Sequence, residues 1–453
     1  MPRPIAIALL LCLAAPAARA ESAIELTVYN NDLALVKELR AIDLSRGVQE
    51  YTFTGVPERL LPETVHFRSL RDPEGTLVLE QNYRYDLLDR NSLLERYRGQ
   101  EVRALVDGEW RRARLLAAGN PTESQPLGRI LEIDGELHIE GFVLPALPAG
   151  LLLEPSLVWL IEAAQAGRHE VELSYLSEGI GWRADYVAVA GEKDVLDLTG
   201  WVTLDNRSGK AYPEARLKLV AGDVNRVPRP TPRMAKGMEA MAFAADRGGF
   251  AQEQFFEYHL YTLGRPTTVL DKEQKQVELL RIAGLPAQRK YVFRSDSWQE
   301  DSEPRAVAVT LEFANSEEAG AGLPLPKGTV RVYQADAGGQ LQFAGEDEIP
   351  HTPEGERVRL KLGDAFDIRG ERLQTAIDQR GNRIVSRSFQ ITLRNHKDSA
   401  IRVEVLEDTP AWQEWSVRGA SHEYDKRSTR QLVFTVPVPA KGEAVLTYTL
   451  VTN

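Results

Sequence analysis

Seven histidines, His66, His138, His169, His259, His351, His396 and His422, are the side chains best suited to hold a metal or move a proton near neutral pH. No two lie within four residues of each other, so the paired-histidine helix of a zinc protease is absent. The single cysteine, Cys12, sits in an apolar leader. Once that leader is removed the chain has no thiolate nucleophile, no thiolate ligand and no disulfide. There is no Gly-x-Ser-x-Gly elbow and no Ser-x-x-Lys pair for acyl transfer. No phosphate loop or dinucleotide fingerprint is present either, and the Asp-Gly pairs lack the ligand spacing of a calcium loop. No cofactor is therefore assigned. What remains is carboxylate chemistry, because two facing acids suffice for a glycosidase and the chain carries 66 acidic residues. Asp364 and Asp367 share a stretch bounded by Gly363 and Gly370 that reads as a loop between strands. They are the candidates for a cation site or a carboxylate pair. Glu346-Asp347-Glu348 is denser in charge and reads as a solvated turn.

Binding without reaction has its own candidates in the stretch from Leu173 to Asn225. Trp182, Ala184, Tyr186 and Ala188 recur at every second position, with Arg183 and Asp185 falling between them. A strand sends alternate side chains to opposite faces, so the aromatics share one face and the charges the other. Trp201 opens a second alternating run that ends at Asn206-Arg207-Ser208-Gly209, a plausible hairpin turn. A third run, Ala215 to Val220, completes what reads as consecutive antiparallel strands. Trp182, Tyr186 and Trp201 either form a platform for stacking a sugar or a partner, or fill a sandwich core, the commoner fate of large aromatics.

The elements around these residues are almost all strands. Residues 1–20 read as a signal peptide: Arg3 supplies the positive start, Ile5 to Ala15 is apolar but too short to span a bilayer, and Ala18-Arg19-Ala20 precedes a cleavage point. Its loss removes Arg3 and Arg19 and takes the net charge from −11 to −13. An acidic chain without a basic block is a poor partner for nucleic acid. No later apolar run is long enough for a transmembrane segment. Residues 21–75 read as N-terminal strands of a β-sandwich. In 76–160, Ser92-Leu93-Leu94-Glu95 fits a capping box whose helix ends at Gly99, and short strands with Asp107-Gly108 and Asp134-Gly135 turns suggest a small SH3-like barrel inserted in the chain. Residues 161–225 are central sandwich strands. Residues 226–256, with Val227-Pro228-Arg229-Pro230-Thr231-Pro232 and Met234, Met238 and Met241, read as a flexible linker or loop. Residues 257–453 carry strands at the spacing of a C-terminal sandwich. The expected fold is mainly β, with immunoglobulin-like β-sandwich units, the small barrel and very little helix.

Several stretches together resemble a bacterial family of secreted proteins of unknown function related to mucoidy inhibitor A. They are Tyr29-Asn30-Asn31-Asp32-Leu33-Ala34-Leu35-Val36, Gly181-Trp182-Arg183-Ala184-Asp185-Tyr186, Gly200-Trp201 with Asn206-Arg207-Ser208-Gly209, Leu219-Val220-Ala221-Gly222-Asp223, and Leu325-Pro326-Lys327-Gly328. The resemblance implies β-rich domains and an envelope location, and brings no catalytic residues with it. A long coiled coil near the N-terminus marks better-known relatives; here the barrel-like region takes its place. Export to the periplasm is the expected destination. The expected role is a non-catalytic binding or scaffold protein whose partner is an envelope protein or glycan. The alternative is an envelope hydrolase acting on a glycan or peptide through a carboxylate pair.

Overall fold

A computed structural model describes residues 24–452 except 86–92, 94–95, 107–108, 118–129, 134–135, 140–141, 144–153, 192–193, 223, 225–249, 256–257, 297–302, 381–383 and 410–413. The leader, the Pro- and Met-rich stretch from Val227 to Met241, both Asp-Gly turns, and Ser92 and Glu95 of the capping box lie outside the described residues. Among the described residues the chain is mainly β. Pro62–Thr64 form a 3-10 turn. Leu93, Arg96 and Tyr97 are helical and are followed by Gly99 at φ +78°, which ends the helix where the sequence places its end.

The chain opens with β1 (Ile24–Tyr29), β2 (Leu33–Leu44), β3 (Gly47–Thr54), β4 (His66–Ser69) and β5 (Thr76–Arg84). The inserted module holds β6 (Glu101–Val106), β7 (Glu109–Ala117), β8 (Ile130–Ile133), β9 (Glu136–Ile139) and β10 (Phe142–Val143). Its sheet order is β10-β6-β7-β8-β9, so the chain leaves one edge as β9 and re-enters at the other as β10. That connection needs a strongly curled sheet. Val102, Ala104, Ala113, Leu115, Leu131 and Ile133 fill its inside, a core separate from the rest.

The main body resumes with β11 (Ser156–Ala163), β12 (Gly167–Glu178), β13 (Ile180–Ala190), β14 (Val195–Asn206) and β15 (Tyr212–Ala221). β13 and β14 form the expected antiparallel pair, Trp182 opposite Leu204. The neighbouring strands do not continue it. β12 pairs with β2 and β15 pairs in parallel with β1, in the facing sheet. Asn206 to Gly209 is therefore a corner between sheets and not a hairpin. Asn206, fully buried, explains why. Its amide donates to the carbonyls of Lys210 and Leu270 at 2.8 and 2.9 Å, and its carbonyl accepts from the Ser208 amide and hydroxyl. These bonds replace the ladder that a hairpin would supply.

β16 (Phe250–Phe255), β17 (Tyr258–Leu263) and β18 (Thr267–Val269) extend that facing sheet. The last residues of the 226–256 segment are thus a strand, paired with β17 from Phe250 onward, which corrects its reading as linker throughout. Next come β19 (Glu273–Asp296), β20 (Arg305–Ala314), β21 (Gly328–Ala335), β22 (Leu341–Ile349) and β23 (Arg357–Arg380). The chain closes with β24 (Ile384–Asn395), β25 (Ile401–Asp408), β26 (Trp415–Arg418), β27 (Tyr424–Ser428), β28 (Gln431–Val438) and β29 (Gly442–Thr452). A three-stranded sheet, β3-β11-β5, flanks the first body.

Two large cores divide the main body. The first joins Leu26, Val28, Tyr175, Leu217 and Leu219 to Trp182, Tyr186, Leu198 and Leu204, and runs on to Leu360. The second gathers Phe293, Phe389, Val405, Phe434 and Tyr448. The boundary expected at residue 257 is therefore displaced. The changeover falls inside β19, β20 and β23, which feed both cores. β19 and β23 are 24 residues long, and each carries a glycine at positive φ near the changeover, Gly284 at +70° and Gly363 at +149°.

The Asn206 device recurs in the second core. Asn395, 1% exposed, donates to the carbonyls of Ser399 and Pro439, both at 2.9 Å. Replacing either asparagine takes the side-chain donor from two part-buried carbonyl contacts, each costing about 1–2 kcal/mol. Asn206→Ala and Asn395→Ala are each expected to lower unfolding free energy by roughly 3 kcal/mol in urea titrations. A loss below about 1 kcal/mol would show that water replaces the side chain at the corner.

Candidate functional site

The most distinctive stretches of the sequence meet around one cleft of about 360 Å³. Asn30 and Asp32 come from the β1–β2 turn, Gly179 to Arg183 from the entry to β13, and Thr203, Asp205 and Arg207 from the end of β14 and its corner. Arg59 arrives from the segment after β3. Strand alternation sorts the chemistry. Trp182 and Leu204 face inward, while Gly181, Arg183, Thr203 and Asp205 belong to the opposite face.

Backbone geometry brings the pieces together. Asp32 takes φ +51°, and a methyl group at Gly181 would lie 3.6 Å from its backbone, so the turn rests against β13. Asn30 donates its amide to the Trp182 carbonyl at 3.2 Å and accepts from Gly222 at 3.4 Å, while the Trp182 indole donates to the Val220 carbonyl at 3.2 Å. Gly179 has φ +83°, and a side chain there would meet both the Arg207 carbonyl and the Arg59 stem at 2.7 Å. Only glycine lets these two arginines approach.

Charge in the cleft is mixed. Arg207 grips Asp205 through two bonds of 3.2 and 3.1 Å. Arg183 lies 3.2 Å from Asp185, which also accepts from Thr203 and pairs with Arg331. Arg59 is held by its backbone, donating to the Ser208 carbonyl and accepting from Glu178. Among the described residues its guanidinium has no ion-pair partner, and neither has the Asp32 carboxylate.

Beneath the corner lies a buried charge cluster that the sequence reading missed. Glu38 occupies an inward position of β2 and is 2% exposed. It accepts from the Tyr175 hydroxyl and the Lys210 ammonium, and pairs with Arg40 at 2.6 Å. Ser208 shares a hydrogen bond of 3.2 Å with Tyr212 above this cluster. The cluster therefore anchors the 206–210 corner that carries Arg207 and supports Arg59. Burial alone would raise the Glu38 carboxyl, but Lys210 and Arg40 outweigh it and hold the pKa below its ordinary value. The legible signal was a lone charge at an inward place in the alternation Ala34, Val36, Glu38.

The residues named from sequence fare differently. Trp182 and Tyr186 are core residues, 4% and 0% exposed, and offer no platform; the Tyr186 hydroxyl donates to the Pro326 carbonyl at 2.7 Å. Trp182 reaches the cleft only at its floor. Trp201 is half-buried, points to the other face and does not line the cleft. Asp364 and Asp367 do not sit in a loop but within β23. Each faces its own lysine, Lys361 at 3.9 Å and Lys397 at 4.0 Å. Glu346 to Glu348 likewise belong to a strand, β22, with Glu346 paired to Arg331. No group of three or more possible metal ligands occurs among the described residues.

No protein-family model matches this chain, and no curated protein matches it. Among the described residues, no helix is long and apolar enough to cross a membrane.

The pH dependence of stability follows from Glu38. Its pKa is lower folded than unfolded, so its stabilisation is complete above the unfolded value of 4.5 and is lost as pH falls through the folded value. Urea midpoints measured from about pH 3 to about pH 7 should fall on the acid side, and Glu38→Gln should flatten that fall. Lys210→Met should cost about 3 kcal/mol at neutral pH, because it strips a buried carboxylate of one partner. An unchanged acid slope in Glu38→Gln would remove Glu38 from the account.

Proposed function

We propose that this is an exported protein of the bacterial cell envelope, related to the mucoidy inhibitor A family, that binds or scaffolds another envelope component without catalysing a reaction. The observation that carries the reading is the convergence of four separated stretches on one cleft lined by Arg59, Arg183, Arg207, Asp32 and Asp205. Polar side chains of both signs, set on rigid strands around a concave surface, suit recognition. The leader-like first 20 residues support export, and the acidic balance of the chain argues against nucleic acid as the partner.

The hydrolase reading needs a carboxyl kept protonated by a raised pKa. The carboxylates displaced from their ordinary values among the described residues, Glu38, Glu172, Glu312 and Asp336, are all displaced downward.

In-cell crosslinking followed by capture from the envelope tests the proposal. The full chain should retrieve a defined component, and Arg207→Glu should reduce its recovery on the order of tenfold while the thermal midpoint holds. Turnover of a glycan or peptide that vanishes in folded Asp32→Asn or Asp205→Asn would make the protein a hydrolase instead.

A further inference from the structure

Granted that the cleft binds a partner, we propose that what it recognises is a carboxylate carried next to N–H or O–H groups, with Arg59 as the residue that grips it. Three arginines line the cleft, and two already hold aspartates: Arg207 holds Asp205 through a two-bond fork, and Arg183 sits on Asp185. Arg59 alone lacks an acidic partner among the described residues, yet its position is built with care. Its amide and carbonyl are both bonded, to Ser208 and Glu178, and its stem runs over the one place where Gly179 leaves room. A guanidinium fixed at its base and free at its tip matches the two oxygens of a carboxylate.

The acids of the cleft decide the kind of anion. Asp32 and Asp205 stand beside the arginines, and the chain as a whole has a net charge of −11. A phosphate with two charges, or a polyanion, would meet these carboxylates at close range and be repelled. A single carboxylate is tolerated, and its neighbouring hydroxyls or amides find acceptors in Asp32, which has no partner of its own among the described residues, and in the unused lone pairs of Asp205. Two sources carry this chemistry in an envelope: the C-terminus of a peptide and an isolated uronate of an otherwise neutral glycan. Both offer a single carboxylate flanked by donors.

Isothermal titration of the full chain separates the possibilities. The probes are an N-acetylated tripeptide with a free terminal carboxylate, the same tripeptide amidated, methyl galacturonoside with its one carboxylate, the methyl ester of that sugar, and inorganic phosphate. One free acid should bind while its neutral counterpart does not, and which acid binds names the source. Arg59→Gln should weaken that binding about tenfold, and Arg59→Lys should fall between, because it keeps the charge and loses the fork. Neither exposed substitution should move the thermal midpoint. The assignment is overturned if the neutral probes bind as well as the acids, if phosphate binds more tightly, if Arg59→Gln changes nothing, or if neither acid binds. Capture of an envelope component that depends on Arg207, together with silence from both acids, would remove the carboxylate and leave the binding reading intact. Failure of capture and titration together would remove both.

Discussion

Two hydrogen bonds at Trp182 tie the first body together. Its carbonyl accepts from Asn30 and its indole donates to Val220, so one residue of β13 is pinned to both the β1–β2 turn and the end of β15 in the facing sheet. Sandwiches are usually held by apolar contact alone, which is strong but indifferent to register. Here a large buried ring supplies the contact and its polar edge supplies the registration. The β1–β2 turn, the entry to β13 and the corner after β14 keep their relative places because of it, and the cleft exists only where those three keep their places.

The cleft also depends on a second layer of polar structure below the surface. Buried ion pairs are costly to desolvate and seldom the cheapest route to stability. Glu38, Lys210, Arg40 and Tyr175 nevertheless form a closed set whose hydrogen bonds leave each charge with a partner. Arg372 and Glu407 repeat the arrangement in the second core, both 1% exposed and 3.0 Å apart. In the first case the position of the cluster gives it a use, since it lies under the corner that presents Arg207 and props the backbone of Arg59.

Strand identity was legible from alternation, because a half-buried strand must alternate, and β13 and β14 pair as their aromatics and charges suggest. Sheet membership was not legible. Asn206 to Gly209 has the composition of a hairpin turn, and the bonds of Asn206, among them one to Leu270 far along the chain, hold it as a corner instead. The site was visible in fragments. Trp182 drew attention as an aromatic, when its role is to be buried. Nothing in the sequence singles out Arg59, Arg183 and Arg207 as a group, because what joins them is spatial. Asp364 and Asp367 seemed loop residues because Gly363 and Gly370 bracket them, yet Gly370 is a glycine for packing, since a side chain there would strike the Phe293 ring at 2.4 Å.

The two long strands join the two cores without a linker between them. At about 3.3 Å per residue, a 24-residue strand spans at most about 80 Å. β19 and β23 run from one core into the other, so a hinge between the bodies would have to tear hydrogen-bonded ladders and not merely swing a tether. Gly284 and Gly363 take positive φ where the pairing of these strands shifts register. The spacing of the two cores is thus set by paired strands and not by a free length of chain.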